Sequence, residues 1–261
     1  MLKKIKNILK TIFYFLNGID FKYIHKKKII KKNEKHIENI ALNIKENGYH
    51  IIENYISEEL CDKIKNEIDK IIADNKNKLV FDSNSNEVRI HGAEKYSELI
   101  NQYNQDQFIN DIGENFLNLN TKAFFTLANI VTANKKSIHG SGGGWHRDST
   151  MENQFKSMLY VNNVNKENGA FQYISGTNKK ISIFKSILKN NIKSNQNRIS
   201  QKSLEDILLI NPQYKLNTLE GKKGTLILFN SFGIHRGSRL NQSSRYALTN
   251  YYFTKIQIEN C

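Results

Sequence analysis

A chain of 261 residues is long enough to bury one sizeable core, so we expect one principal domain. The formal net charge is +14, but the basic residues are mostly lysines scattered through asparagine- and isoleucine-rich sequence, which argues against a nucleic-acid reader. Cys61 and Cys261 are the only cysteines, which excludes a disulfide-rich scaffold and favours a cytoplasmic protein.

The first 32 residues form a basic amphipathic segment, which we separate from a domain at 33–261. Its apolar run is interrupted by Lys4 and Lys10 and falls short of the roughly 20 residues that span a bilayer. Two interpretations stay open. We favour a helix packed on the domain, and the alternative is a helix that lies on a membrane surface as a peripheral contact.

Helix and strand patterns alternate in the first half of the domain. Apolar residues at helical spacing predict helices at 33–47, 57–72 and 97–117. Apolar and β-branched runs predict strands at 49–56, 79–81, 86–91 and 123–131. Arg89 and His91 share one face of their strand. We favour the interpretation that both side chains are simply exposed to solvent. The alternative is that they line the entrance for a substrate.

A glycine-rich loop at 140–144 leads into His146 and Asp148. On an extended segment, a spacing of two points both side chains to the same face, where they can bind one metal ion. His235 ends an apolar, β-branched run and is the best candidate for a third ligand. Two imidazoles and one carboxylate form the facial triad of non-haem iron(II) oxygenases.

The His-x-Asp pair needs its context, because 7 histidines and 25 acidic residues would give about 0.7 such pairs by chance. Residues 155–177 are predicted to form a strand, a turn at Asn168-Gly169 and a second strand. Arg245 follows His235 in the next predicted strand. His139 is a rival ligand that we rank below His146, since no carboxylate lies two residues beyond it.

In this order, the pieces resemble the phytanoyl-CoA dioxygenase-like family of Fe(II)/2-oxoglutarate oxygenases, from about residue 48 to residue 253. The resemblance implies a mainly β fold with flanking helices, namely a cupin-like double-stranded β-helix or jelly roll. It implies that His146, Asp148 and His235 hold Fe(II), and that Arg245 binds the distal carboxylate of the co-substrate 2-oxoglutarate. The segment at about 181–210 has no family pattern, and its apolar spacing predicts a helical insert, with a lid as one possible role.

Two further residues are predicted to contact the co-substrate. Tyr160 shares a strand face with Met158, and its hydroxyl is a polar group that we place near 2-oxoglutarate, although a packed core tyrosine is the alternative. On the strand at 123–131, Thr126 and Asn129 lie on opposite faces, and one of them is expected to face the cofactor. We select Thr126. Arg239 is the nearest rival of Arg245 as the carboxylate-binding arginine.

We therefore expect a 2-oxoglutarate-dependent hydroxylase that acts on a C–H bond of a small-molecule or lipid- or glycan-linked substrate and releases succinate and CO2. Asp148 favours hydroxylation over halogenation, because related halogenases have a small residue in place of this carboxylate. The alternative is a non-catalytic jelly-roll protein that binds a metal or a small ligand. The substrate, the role of the insert and the oligomeric state stay open.

Overall fold

The computed structural model describes residues 34–74, 79–82, 86–134, 140–149, 152–189, 192–193 and 196–254, together with Leu9 and Ile12. The helices are α1 (Lys35–Asn47), α2 (Glu58–Asp74), α3 (Glu98–Asn104), α4 (Gln107–Leu117), α5 (Lys180–Leu188) and α6 (Gln201–Ile210). The strands are β1 (Tyr49–Ile52), β2 (Val80–Asp82), β3 (Glu87–His91), β4 (Thr121–Thr132), β5 (Phe155–Tyr160), β6 (Phe171–Ser175), β7 (Lys215–Leu219), β8 (Leu226–Asn230), β9 (His235–Gly237) and β10 (Ser244–Thr254).

The strands form two antiparallel sheets, which we call the large sheet and the small sheet. The large sheet has the order β1-β8-β5-β10-β4-β3-β2, and the small sheet has the order β7-β6-β9. Neither sheet closes on itself as a barrel. The predicted class, mainly β with flanking helices, is confirmed.

The central strand β5 shows how the large sheet separates the core from the cavity. All six of its residues are buried, because β8 and β10 flank it and both of its faces are covered. Phe155 and Leu159 belong to the core cluster beneath the helices, whereas Met158 and Tyr160 belong to a second cluster between the sheets. The period of two thus sends alternate residues to opposite layers.

The helices of the first half cover the outer face of the large sheet, as their apolar spacing predicts. Their buried side chains include Ile40, Ile44, Ile64, Ile68, Ile109 and Ile112. Each fully buried side chain of this kind contributes about 1.5–3 kcal/mol. Gly48 ends α1 in the left-handed conformation (φ 90°), and its N–H donates to the carbonyl of Ile44, which matches the predicted C-cap.

The insert forms α5 and α6, which confirms the predicted helices, and it packs on the small sheet. A third apolar cluster joins its side chains to those around the histidine strand: Trp145, Ile174, Ile183, Ile192, Ile199, Leu204, Ile207, Phe232 and Ile234. The chain leading into α6 also pairs with the glycine-rich segment, through a β-bridge between Arg198 and His146. The insert therefore supports the backbone of a predicted metal ligand.

The predicted N-terminal segment at 1–32 lies outside the described residues, apart from Leu9 and Ile12. In the part of the chain that the structure describes, every helix is too short or too polar to cross a membrane.

Candidate metal centre and co-substrate pocket

His146 and His235 come together because their backbones pair. The N–H of each residue donates to the carbonyl oxygen of the other, at 2.9 and 2.8 Å, as in the hydrogen-bonded pair of an antiparallel ladder. Side chains directly opposite each other in such a pair lie on the same face. The two imidazole rings accordingly lie 4.3 Å apart, centroid to centroid.

Asp148 joins the two histidines through the spacing of two. Its backbone N–H donates to the carbonyl of Ser231 at 2.9 Å, which holds this segment alongside the chain that leads to His235. Its Oδ1 lies 3.7 Å from Nε2 of His146, and its Oδ2 lies 3.3 Å from Nε2 of His235. One ligand atom from each residue lies within 4.8 Å of the other two, so the three predicted ligands could hold one metal ion.

Both imidazoles direct the same ring nitrogen, Nε2, toward the Asp148 carboxylate. Nδ1 of His146 lies 2.8 Å from the carbonyl of Gly144, and Nδ1 of His235 lies 2.8 Å from the carbonyl of Gly233. A carbonyl oxygen can only accept, so each ring carries its proton on Nδ1. The lone pair is then on Nε2, which is the atom that faces Asp148 and would bind a metal.

The protonation of His146 and Asp148 also suits a metal ion. Burial, helped by the neighbouring His235 ring, lowers the pKa of His146 to about 3, so this imidazole is neutral at neutral pH. Burial alone would raise the pKa of the Asp148 carboxyl. The charge of Lys156 and the two imidazoles outweigh it, and the pKa lies well below its ordinary value. His146 and Asp148 thus have the protonation states in which they bind metals.

Arg245 lies on the opposite wall of the cavity, on β10, and is 1% exposed. Its Nη1 donates to the carbonyl of Gly169 at 2.6 Å, whereas its buried Nε has no hydrogen-bond partner among the described residues. An unpaired buried donor costs about 1–3 kcal/mol, which a ligand with an acceptor oxygen would recover. A carboxylate suits this guanidinium, because it can accept two parallel hydrogen bonds. The chemistry of this wall therefore fits the predicted co-substrate.

A buried carboxylate that we did not select from the sequence lies beside Arg245. Glu87 accepts hydrogen bonds from Arg89 at 2.6 Å, Ser141 at 2.7 Å and Asn129 at 2.8 Å. Burial opposes its charge, but these donors, with Arg89 first, lower the pKa of Glu87. Arg89 and His91 both line the cavity, so the structure supports the less favoured interpretation of their strand.

Tyr160 and Thr126, the two weaker candidates, are engaged within the fold. The hydroxyl of Tyr160 donates to the carbonyl of Leu219 at 2.8 Å and accepts from the N–H of Phe171 at 2.9 Å. The hydroxyl of Thr126 donates to Asn250 at 2.6 Å, on the face of β4 that points away from the cavity. Neither is among the cavity-lining residues, and on β4 the polar residue that faces the cavity is Asn129.

Arg239 was the alternative to Arg245, and His139 was the alternative to His146. Arg239 is exposed after β9 and is not among the described residues that line the cavity. His139 lies outside the described residues, so its ranking below His146 stays a prediction.

Lys156 is, after Glu87, a second residue of the site that the sequence analysis missed. Its ammonium donates to Oδ2 of Asp148 at 2.8 Å, and its side chain is only 4% exposed. The strand period places it on the same face as Met158 and Tyr160, so its direction was available from the sequence. What the strand pattern could not give was its partner, because Asp148 lies only eight residues earlier but outside the named strands.

Comparison with known proteins supplies the family. The family model described as phytanoyl-CoA dioxygenase (PhyH) matches residues 44–247. The chain belongs to the phytanoyl-CoA dioxygenase family. The match covers α2, α3 and α4, both predicted histidines and Arg245. No curated protein matches this member of the family closely enough to count as a relative.

Solved structures that resemble this phytanoyl-CoA dioxygenase family member confirm the jelly-roll fold. The non-haem α-ketoglutarate-dependent epimerase SnoN from nogalamycin biosynthesis is 12% identical, with a TM-score of 0.62, over 84% of this chain and 83% of SnoN. EctD from S. alaskensis, with 2-oxoglutarate and 5-hydroxyectoine, is 16% identical, with a TM-score of 0.63, over 82% and 74%. HygX from Streptomyces hygroscopicus, with nickel and 2-oxoglutarate bound, is 12% identical, with a TM-score of 0.61, over 83% and 87%.

Proposed function

We propose that the protein is an Fe(II)- and 2-oxoglutarate-dependent oxygenase that hydroxylates a C–H bond of a small-molecule substrate. The observation that carries the proposal is the pairing of two groups across one cavity. Two imidazoles and a carboxylate meet on one wall, and a buried arginine with an unpaired Nε lies on the other. A site for a structural metal alone would not need that arginine.

The donor set fits iron(II) better than a structural zinc ion. Two imidazoles and one carboxylate with open positions are typical of non-haem iron oxygenases, whereas structural zinc is usually enclosed by four protein ligands. His146, Asp148 and His235 would hold the ion. When bound, it would supply oxidation of the substrate by dioxygen, coupled to cleavage of 2-oxoglutarate into succinate and CO2.

The residues of the chain would orient the co-substrate and exclude water. Arg245 would bind the distal carboxylate of 2-oxoglutarate and so fix which end of the keto acid points toward the histidines. Phe171 and Phe229 line the cavity beside His235, with ring centroids 5.5 Å from its imidazole. These apolar rings lower the local polarity, which strengthens electrostatic contacts inside the site.

The structural neighbours bear on the reaction without deciding it. EctD and HygX were crystallised with 2-oxoglutarate, and SnoN and SnoK are named an epimerase and a carbocyclase. Their fold thus accommodates several oxidative outcomes. Hydroxylation is our choice because Asp148 supplies the carboxylate that related halogenases lack. Mass analysis of the product would identify the outcome directly.

The proposal is tested by 2-oxoglutarate turnover in the purified protein. We expect succinate formation that requires Fe(II) and matches oxygen uptake, and Asp148→Ala should abolish it because one of the ligands is lost. Asp206→Ala, at an exposed position of α6, is the matched control and should keep the parent rate. If no succinate forms with a broad panel of small molecules and lipid- or glycan-linked compounds, the non-catalytic jelly-roll interpretation is favoured.

Two proposals about the whole chain rest on the sequence alone. We propose that residues 1–32 are dispensable for the chemistry, so a protein that starts near Lys32 should keep 2-oxoglutarate turnover. A cytoplasmic location with peripheral membrane contact through this segment is tested by sedimentation with anionic liposomes. Equal liposome binding by the full-length and shortened proteins would contradict that contact.

A further inference from the structure

The cavity contains a buried cation that the proposed reaction does not itself require. Lys156 lies on β5 in the large sheet, and its side chain is 4% exposed. A buried charge needs a partner, and the partner here is Asp148, at 2.8 Å from the ammonium nitrogen. The contact therefore joins the large sheet to a proposed ligand on the other wall.

The position of Lys156 is fixed on both sides by the register of the sheet. It lies directly opposite Tyr251 on β10 and directly opposite Phe229 on β8. Its ammonium lies 3.6 Å from the centroid of the Tyr251 ring, as in a cation–π contact. Tyr251 in turn stacks on Phe125, with centroids 4.4 Å apart. The lysine is thus held by packing and is not free to follow the carboxylate.

Asp148 is fixed as well, and its two oxygens are not equivalent. Oδ2 accepts the hydrogen bond from Lys156, whereas Oδ1 has no hydrogen-bond donor among the described residues. A cation that is bonded to one oxygen makes that oxygen a poorer metal ligand and prevents the carboxylate from turning about its own axis.

We propose that Lys156 is a positioning residue that restricts Asp148 to one oxygen at the metal. This inference rests on the proposed function, since it concerns the ligand that the oxygenase assignment requires. An octahedral ion has room for two imidazoles, one carboxylate oxygen and the two donor atoms of the keto acid, which leaves one position for dioxygen. A carboxylate that bound through both oxygens would occupy that last position.

The experiment compares substitutions at Lys156 with a matched control. Lys156→Met removes the ammonium and keeps an unbranched apolar chain, Lys156→Gln is a second neutral variant in case the first does not fold, and Lys156→Arg keeps a cation with donors. Lys122→Met, at an exposed position of β4, controls for loss of a sheet lysine. Manganese(II) is the probe, because it favours the same octahedral geometry and is stable in air.

The direct readout is the infrared spectrum of protein with carbon-13 at its aspartate carboxyl groups. The separation between the two carboxylate stretching bands that change on metal addition is wider for binding through one oxygen than through two. We expect the wide separation in the parent, Lys156→Arg and Lys122→Met, and the narrow separation in Lys156→Met and Lys156→Gln. The manganese(II) dissociation constant of the two neutral variants should stay equal or fall.

Turnover gives a second and separate readout. In Lys156→Met and Lys156→Gln, kcat should fall about 10-fold or more while KM for 2-oxoglutarate changes less than about 3-fold, because supporting partners of metal ligands are typically worth 10–100-fold. Lys156→Arg should recover part of the loss. A lysine with a merely structural role would instead weaken metal binding, co-substrate binding and turnover in parallel, and that pattern would overturn the proposal.

The infrared comparison separates this proposal from the assignment on which it rests. The same band separation in the parent and in both neutral variants would refute the role of Lys156, even in an active oxygenase. If the parent shows the wide separation, both neutral variants show the narrow one and the parent has no turnover, the oxygenase assignment fails and the positioning role stands.

Discussion

The two walls of the cavity are built in different ways. The metal-binding wall uses residues near in sequence, His146 and Asp148, on a short segment whose pairing with His235 rests on two backbone hydrogen bonds. The opposite wall uses Lys156 and Arg245, which project from central strands of the large sheet. Of the proposed ligands, His146 and Asp148 thus lie outside the named strands and His235 begins the short strand β9, whereas the charges proposed to act on the ligands and the co-substrate come from central strands of the large sheet. This difference predicts which substitutions should affect metal binding and which should affect the keto acid.

The largest effect should come from the histidines of the metal-binding wall. His146→Ala and His235→Ala should each raise the Fe(II) dissociation constant more than about 100-fold, since even supporting partners of ligands are worth 10–100-fold. Anaerobic metal titration measures this constant. His50→Ala is the matched control, because His50 is half-buried on β1 and pairs with Asn43 away from the cavity. Unchanged Fe(II) affinity in both ligand variants would refute the assignment.

On the opposite wall, a substitution should change the affinity for 2-oxoglutarate and not the affinity for Fe(II). Arg245→Ala should raise the apparent 2-oxoglutarate constant about 30-fold or more, since loss of a partner to a buried charge costs about 2–5 kcal/mol. Fe(II) affinity should stay within about 3-fold of the parent. Succinate release at varied 2-oxoglutarate concentrations, with a separate metal titration, gives both values.

The exposed Arg239 provides the control for this wall. Arg239→Ala should leave the 2-oxoglutarate constant unchanged. Equal shifts in Arg239→Ala and Arg245→Ala would mean that the cavity is attracting the co-substrate by overall charge, and the contrast between the two walls would not hold.

The smallest effect on the site should come from Tyr160, which lies on β5 in the large sheet but does not line the cavity. Tyr160→Phe removes a hydroxyl that donates to the carbonyl of Leu219 and accepts from the N–H of Phe171. The free energy of unfolding should fall by about 1–3 kcal/mol, because two buried backbone groups lose a partner. The 2-oxoglutarate constant should change less than about 3-fold. Chemical denaturation measures the stability. A large loss of co-substrate affinity without a loss of stability would mean that Tyr160 contacts the co-substrate.

The contrast between the walls also explains what the sequence could predict. His146 and Asp148 were accessible because a spacing of two on extended chain has one geometric meaning, and His235 because it ends an apolar run. That run was predicted as one buried strand, whereas the structure divides it into β8 and β9, and His235 begins β9. Arg245 came from the family resemblance. Lys156 and Glu87 were missed because strand alternation gives the face on which each side chain lies but not its partner. Asp148 lies only eight residues before Lys156 but outside the named strands, and Ser141 lies 54 residues from Glu87. Thr126 was selected over Asn129, whereas Asn129 lines the cavity, because alternation separates two faces of β4 without saying which of them meets the cavity.

The central claim is that His146, Asp148 and His235 would hold one metal ion, and that Arg245 would hold a keto acid beside it. The most direct measurement is the visible absorption spectrum on anaerobic addition of Fe(II) and 2-oxoglutarate. A charge-transfer band should form only when both are present, should be absent in His146→Ala and His235→Ala, and should need a much higher 2-oxoglutarate concentration in Arg245→Ala. The absence of the band in parent protein that has bound both compounds would contradict the account.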